Sequence, residues 1–385
     1  MTDVDVVVVG GGIGGLASAY ALAKSGRRVR VLERAEEFAE VGAGLQMAPN
    51  ATRVLKEWGL LDEVLNKGVA PRRLLFKDAV DGSVLTRLDL DDAFVARYGA
   101  PYVVIHRSDL LDILADACRA AGVELLSGSK VDDVENIPDG VVVRTGSTEH
   151  SAGLAIAADG LHSTLRARLS DDEPVCSGYV AYRGAFPTSE LGRELDADAL
   201  NEVVVYLGPG CHLVQYALRG GEMFNTVAVF ESPAWKRGEA EWGGPDELDA
   251  VFDGMCEEVR TGLRSLWRVR RWPMYDRLPI PTWIDGRVVL TGDAAHPMLQ
   301  YLAQGACQAV EDAYSLAGHL AKQDTDEALL AYQAERTART ARVQTTARLW
   351  GDIWHVDGVA RVLRNELFLK RDLDDPVYVD WLYKV

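Results

Sequence analysis

The stretch that most constrains this chain is its beginning: Val6-Val7-Val8-Val9, then Gly10-Gly11-Gly12-Ile13-Gly14-Gly15, then a helical run and a second apolar segment that closes at Glu33. Four consecutive valines read as a parallel strand buried on both faces, because β-branched side chains pack well on a pleat covered from both sides. Glycines at 10, 12 and 15 permit a tight turn, close backbone approach to a pyrophosphate, and close packing of helix on strand. Leu16, Tyr20, Leu22 and Ala23 recur at helical spacing, so the helix beginning near Ile13 and Gly14 points its free N–H groups at phosphates. Arg28 to Leu32 supplies the next strand. Glu33, with Arg34 beside it, stands eighteen residues past Gly15, where a carboxylate accepts hydrogen bonds from both hydroxyls of an adenosine ribose. An ADP-containing cofactor follows; this stretch leaves NAD and FAD both open.

At 385 residues and 48% hydrophobic, the chain exceeds one typical domain and can bury a large core, so two intertwined domains are expected. A formal charge of −17 opposes binding to nucleic acid and to anionic membranes. The five cysteines, at 118, 176, 211, 256 and 307, form no CxxC pair, which argues against a disulfide framework or a zinc site and for free thiols in a reducing compartment. A core strand begins almost at the first residue, leaving no room for a signal peptide, and no apolar run approaches the length of a spanning helix. A cytoplasmic protein is expected, with no metal and no membrane insertion.

Further along, glycines at 42 and 44 suggest backbone folded close against something flat, and Pro49 leads into a helix over about 51–58. Residues 66–98, with an Asp-Gly turn at 81–82, read as hairpin material outside the nucleotide fold. Tyr102 to Ile105 is a strand running into a helix with Ser108 as its N-cap. Arg107 at that junction either reaches a phosphate or makes a surface salt bridge. Leu154 to Ala158 is another strand, ending in Asp159-Gly160 with Ser163 and Arg166 following. From 176 to 284 strand patterns dominate (179–184, 203–207, 212–218, 223–230), predicting a mostly antiparallel sheet. Arg287 to Leu290 returns to a buried parallel strand that ends in Gly292-Asp293-Ala294-Ala295-His296-Pro297, followed by helices from about Gly305 and Asp326. Arg336, Arg339 and Arg342 step along one face of the second helix, and a solvated face is the expectation for them. The domain division expected is 1–72, 100–175 and 285–345 for a cofactor-binding domain, 73–99 and 176–284 for a substrate domain, and 346–385 for a C-terminal helical segment.

Three strand ends therefore carry motifs: the glycine turn with Glu33, Asp159-Gly160, and Gly292-Asp293. Ligands of open α/β sheets collect at the carboxyl ends of parallel strands, and motifs spread over nearly 300 residues imply a long ligand, which suits FAD better than NAD. Asp293 can bind a ribose or ribityl hydroxyl. A helix starting at Gln304-Gly305-Ala306 can present N–H groups to the flavin pyrimidine edge, where negative charge collects on reduction.

With these three motifs in this order, the chain resembles, over essentially its whole length, the single-component FAD-dependent aromatic hydroxylases that share the 4-hydroxybenzoate hydroxylase fold. It looks most like the 3-hydroxybenzoate 6-hydroxylase and salicylate hydroxylase branch. The resemblance implies an α/β architecture, with a Rossmann-like FAD domain on a parallel sheet and a mostly antiparallel substrate domain. It implies that Glu33 holds the adenosine ribose, Arg107 a phosphate or ribityl group, and Asp293 the ribityl chain or pyrophosphate. Asp159-Gly160 would serve both FAD and a transiently docked NADH. One departure is Ala303, where the family's usual glycine is replaced in Tyr301-Leu302-Ala303-Gln304-Gly305.

The implied chemistry is attack of a phenol on a C4a-hydroperoxyflavin formed from NADH and O₂. A ring oxygen reacts far better ionised, yet a phenol pKa is about 10, so a base or stabilising donors are needed. His212 is the candidate: it shares one strand face with Val214 and Tyr216, although a core histidine satisfied by backbone is the plainer reading of the residue alone. Gln300 would share the ring oxygen, while His296 suits a structural role. The implied substrate is a hydroxybenzoate, 3-hydroxybenzoate giving 2,5-dihydroxybenzoate (gentisate), or alternatively salicylate giving catechol. A flavin reductase or dehydrogenase without oxygenation, and a non-catalytic flavin-binding partner, are the competing classes. By analogy the protein is a homodimer, with Trp350, Trp354 and Trp381 in a dimer element.

Overall fold

The computed structural model describes residues 3–38, 43–191 and 195–384. Two sheets organise it. In the first, Glu124–Leu126, Val29–Leu32, Val4–Val9, Thr148–Ala157 and Val288–Leu290 lie side by side in parallel, and Ile284–Asp285 closes the edge in antiparallel pairing. Val6, Val7 and Val8 are fully buried, as a strand covered on both faces requires. Register decides what this sheet can do. Val9 pairs with Leu32 and with Ala157, and Ala157 pairs with Leu290. The four carboxyl ends are therefore level, and Gly10, Glu33, Ala158 and Thr291 leave the sheet along one edge.

The second sheet has seven strands in the order Trp272–Asp276, Val175–Pro187, Met223–Glu231, Cys211–Leu218, Glu202–Gly208, Arg73–Asp78 and Val84–Asp89. All its pairings are antiparallel except Glu202–Gly208 with Arg73–Asp78, which is parallel. The 73–89 hairpin turns at Asp81-Gly82, where Gly82 has φ +76°. Alternation along the strands separates two faces. Tyr182, Leu213, Ala228 and Phe230 pack outward on Leu248 and Phe252 in a second core, and the other face turns toward the first sheet.

Between the sheets lies a two-stranded ribbon, Gly44–Met47 with Val103–His106. Gly44 packs so closely on Tyr216 that any Cβ there would overlap its ring, while Gly42 falls outside the described residues. The helix that follows the ribbon runs Arg107–Ala120 with His106 at its N-cap. Ser108 is thus inside the helix, its hydroxyl 2.7 Å from His106 Nδ1. The long helix Thr325–Trp354 runs unbroken through residues 345 and 346. Among the described residues, no helix is long and apolar enough to cross a membrane.

The arginine stripe of that helix is not a solvated face. Arg336 is buried, its Nε 2.7 Å from Asp312 Oδ1 and its Nη1 on Glu311, and Arg339 grips Glu311 with two guanidinium nitrogens. Only Arg342 stays exposed, lying over the Trp381 ring at 4.4 Å. The expectation failed because the carboxylates that neutralise the stripe sit on the preceding helix, Gly305–Leu320, where they interrupt a largely apolar face.

Candidate active site

A cavity of about 700 Å³ separates the level strand ends of the first sheet from the inward face of the second. Its floor is backbone. Gly10 has φ +108°, and a Cβ there would overlap the Ala158 carbonyl; a Cβ on Gly15 would overlap the carbonyl of Gly10. This crowding seats the Ile13–Lys24 helix with its N-terminus at the cavity, where Gly12, Ile13 and Gly14 form part of the lining. The helix has no side-chain cap and no acidic residue in its first turn, so its N–H groups remain for an anion. The same holds for Gly305–Leu320, whose Gln304, Gly305 and Ala306 line the cavity. Gln304 Oε1 accepts from Asn50 and Gln308, each at 2.9 Å, while its buried Nε2 donor has no partner among the described residues.

Gly10, Gly15, Glu33, Arg34 and Asp159 frame this floor without lining it. Glu33 accepts the Gly11 N–H at 2.6 Å and the Ala35 N–H at 2.8 Å, which pins the carboxylate beside the glycine turn, whereas Arg34 is exposed. The Asp159 carboxylate takes the Ser163 hydroxyl at 2.6 Å and the Thr164 N–H at 2.9 Å, so it shapes its own turn, and Gly160 is what reaches the cavity. Gly292 and Asp293 both line it. Their turn is fastened from behind by buried Asp312, which accepts the Gly292 N–H at 2.9 Å and meets His296 Nε2 at 2.6 Å. Burial pushes the Asp312 carboxyl up, and His296 and Arg336 overcome it and hold the group far below the usual carboxylate range. His296 is thus a structural residue. Arg107 is half-buried at the cavity wall, its pKa lowered by desolvation and partly restored by Asp293.

The roof is made of side chains. One rung of the second sheet, Arg183–Val227–Val214–Val205–Phe76–Thr86, pairs strand by strand across its width, and all six residues face the cavity. His212 and Tyr216 flank Val214 on the same strand and face the same way. Burial and then the neighbouring His355 push His212 well below the usual imidazole range, so it is neutral; burial raises the Tyr216 phenol, so it stays protonated. Gln300 approaches from the 300–302 turn, with Oε1 3.4 Å from Arg183 Nη2. Arg183 lies over Trp272 at 5.4 Å, its buried Nε without a partner among the described residues; desolvation and the nearby Arg107 lower its pKa. A half-buried guanidinium beside a second one is an attractor for an anion.

Trp350, Trp354 and Trp381, expected in a dimer element, line the cavity within the chain, and Trp354 stands edge-on to His212 at 5.1 Å. Reading the sequence missed Arg183 and His355. The signal for Arg183 was present: a lone arginine at an inward position of its strand, directly after Tyr179-Val180-Ala181-Tyr182. His355 lies 143 residues from its partner and has no local signature.

The floor fits FAD: two uncapped helix ends for phosphate and flavin edge, an orphaned Gln304 donor, and a glycine turn with no room for side chains. The FAD binding domain family matches residues 3–347. The 3-hydroxybenzoate 6-hydroxylase of Polaromonas naphthalenivorans is 39% identical over 389 residues, covering 99% of this chain and 96% of the relative. The 3-amino-4-hydroxybenzoate 2-monooxygenase of Streptomyces cremeus is 40% identical over 385 residues, covering 99% of this chain and 95% of the relative. A crystal structure of Klebsiella pneumoniae HpxO with FAD and uric acid matches with a TM-score of 0.83 at 27% identity, covering 95% of this chain and 93% of that one. The backbone-built floor, the side-chain roof and these relatives agree: the chain belongs to the FAD binding domain family, among the FAD-dependent aromatic-ring monooxygenases of the 4-hydroxybenzoate hydroxylase fold.

Proposed function

We propose that the protein hydroxylates a hydroxybenzoate, 3-hydroxybenzoate to 2,5-dihydroxybenzoate, consuming NADH and O₂. The observation that carries this reading is the pairing, across one cavity, of neutral His212 and Gln300 with half-buried Arg183. His212 and Gln300 meet the ring oxygen and favour its ionised form; Arg183 attracts the negative charge of the acid; the valine rung and Trp354 exclude water from the ring. FAD, when bound, supplies the redox chemistry that takes two electrons from reduced nicotinamide and delivers one oxygen atom of O₂ to the ring, the other leaving as water. Gly10 to Gly15, Glu33, Arg107, Gly160, Asp293 and Gln304 to Ala306 hold it, and Asp159 orders the turn at which nicotinamide docks. Relatives named for 3-hydroxybenzoate and for 3-amino-4-hydroxybenzoate support a hydroxybenzoate ring as the common element.

We further propose the division of labour the sheets suggest, with 73–99 and 176–284 covering substrate and 346–385 closing the cavity. A cytoplasmic homodimer completes the reading. Val359, Val362, Leu363 and Leu367 expose one apolar face of the Gly358–Lys370 helix, and the five thiols are free. The test is product analysis after incubation with NADH, O₂ and a panel of hydroxybenzoates. Gentisate formed one-for-one with NADH consumed is expected. Catechol from salicylate would replace the substrate, and NADH oxidation with no ring product from any acid would overturn the hydroxylation.

A further inference from the structure

Behind His212, on the side away from the cavity, lies His355, the residue that ends the Thr325–Trp354 helix. His355 Nε2 is 2.8 Å from His212 Nδ1, and the two rings are nearly parallel with centroids 5.1 Å apart. Tyr179 stacks on His355 at 4.6 Å, Tyr301 stands edge-on to it at 5.4 Å, and the Gly210 N–H holds its carbonyl at 2.9 Å. Both imidazoles are buried, and Arg364 adds positive field at His355, so both are neutral. Two neutral imidazoles share one hydrogen bond in only two ways. If His212 donates, its Nε2 offers the cavity a lone pair, and His355 must carry its proton on Nδ1. If His355 donates, His212 carries its own proton on Nε2.

The far nitrogen of His355 decides between them. His355 Nδ1 is buried and has no partner among the described residues. A proton there would be a buried N–H donor with nothing to accept it, near a guanidinium that repels it. A bare lone pair at the same place costs less and is favoured by that charge. Resting on the hydroxylase reading above, we propose that His355 is a positioning residue: it donates Nε2–H to His212 Nδ1 and so fixes His212 as a hydrogen-bond donor toward the substrate's ring oxygen. The substrate then enters as phenolate, its proton left in bulk water, and the histidine pair neither gains nor loses a proton. Selection of the ionised ligand replaces abstraction of a proton inside the cavity.

The test has two arms. In substrate-free protein labelled with ¹⁵N-histidine, two-bond proton–nitrogen correlations report each tautomer. His212 protonated on Nε2 alone is expected, and His212 protonated on Nδ1 overturns the proposal whatever the substrate is. In the second arm 3-hydroxybenzoate is the probe and its phenolate absorbance is read against pH. His355→Phe keeps a ring against Tyr179 but removes the donor; it is expected to move ionisation of the bound probe to higher pH and to lower hydroxylation about tenfold near pH 7, with recovery at alkaline pH. His355→Gln, which restores an N–H donor, is expected to return most of the rate. The groups facing the pair are Tyr179, Tyr301, Trp354 and Arg364, and a merely structural loss among them would not be rescued by alkali. A wild-type pH profile in His355→Phe overturns the proposal. Failure of every variant and of wild type to act on the probe would instead refute the substrate reading and leave the tautomer measurement standing.

Discussion

The floor and the roof of the cavity are built on opposite principles. The floor is made of backbone: a glycine turn, two uncapped helix ends, and strand ends brought level by register. The roof is made of side chains on alternate positions of a sheet whose inner strands pair with a neighbour on either side. A backbone site is intolerant of any added atom but indifferent to side-chain chemistry. A side-chain site tolerates substitution in the fold while its chemistry hangs on single residues. On the proposed function, the floor is where this protein keeps binding and the roof where it keeps reactivity.

Substitutions can break that contrast in a graded way. Gly10→Ala has the largest expected effect, because its Cβ would overlap the Ala158 carbonyl at a φ of +108°. A loss of about 4 kcal/mol or more in denaturant unfolding is expected, together with loss of bound flavin. Arg336→Met comes next. It takes the guanidinium from Asp312 and one of two from Glu311, which Arg339 still holds, and loosens the Gly292 turn, at a cost of about 3 kcal/mol, measured by the same unfolding curve. His212→Ala, on the roof, is expected to keep fold and flavin while hydroxylation falls about a hundredfold; near wild-type turnover would remove His212 from the chemistry. Smallest is Ala303→Gly. Ala303 sits at φ +52°, a left-handed conformation that costs a non-glycine residue about 1 kcal/mol, so a small rise in Tm is expected with activity unchanged.

What could be read from the sequence follows the same line. The floor was legible because its determinants are local: a strand, a glycine spacing and an acid eighteen residues on, each set by backbone sterics within a short window. The alternation of His212, Val214 and Tyr216 was legible for the same reason. What escaped was everything that depends on which distant groups meet. Arg336 looked like a surface residue because its carboxylates lie 24 and 25 positions away on another helix, though an acidic pair amid Ala309, Val310, Ala313 and Leu316 was the available warning. Ala303 was noticed as a departure in composition, but its strain is a property of φ that no residue name carries.

The one parallel pairing in the second sheet, Glu202–Gly208 beside Arg73–Asp78, has a consequence for how the chain assembles. Those partners are separated by about 130 positions, and the strands of the first sheet lie before, between and after them. The roof cannot close until the hairpin at 73–89 has waited for strands made much later, and the floor is likewise unfinished until Val288–Leu290 arrives. Neither half is a contiguous piece of chain. Loop-closure entropy must be met before these contacts return anything, so folding is slow and its final events coincide with completion of the cavity. Cutting the chain once, between Thr148–Ala157 and Val175–Pro187, would leave two fragments, each with an open edge where its missing strand belongs.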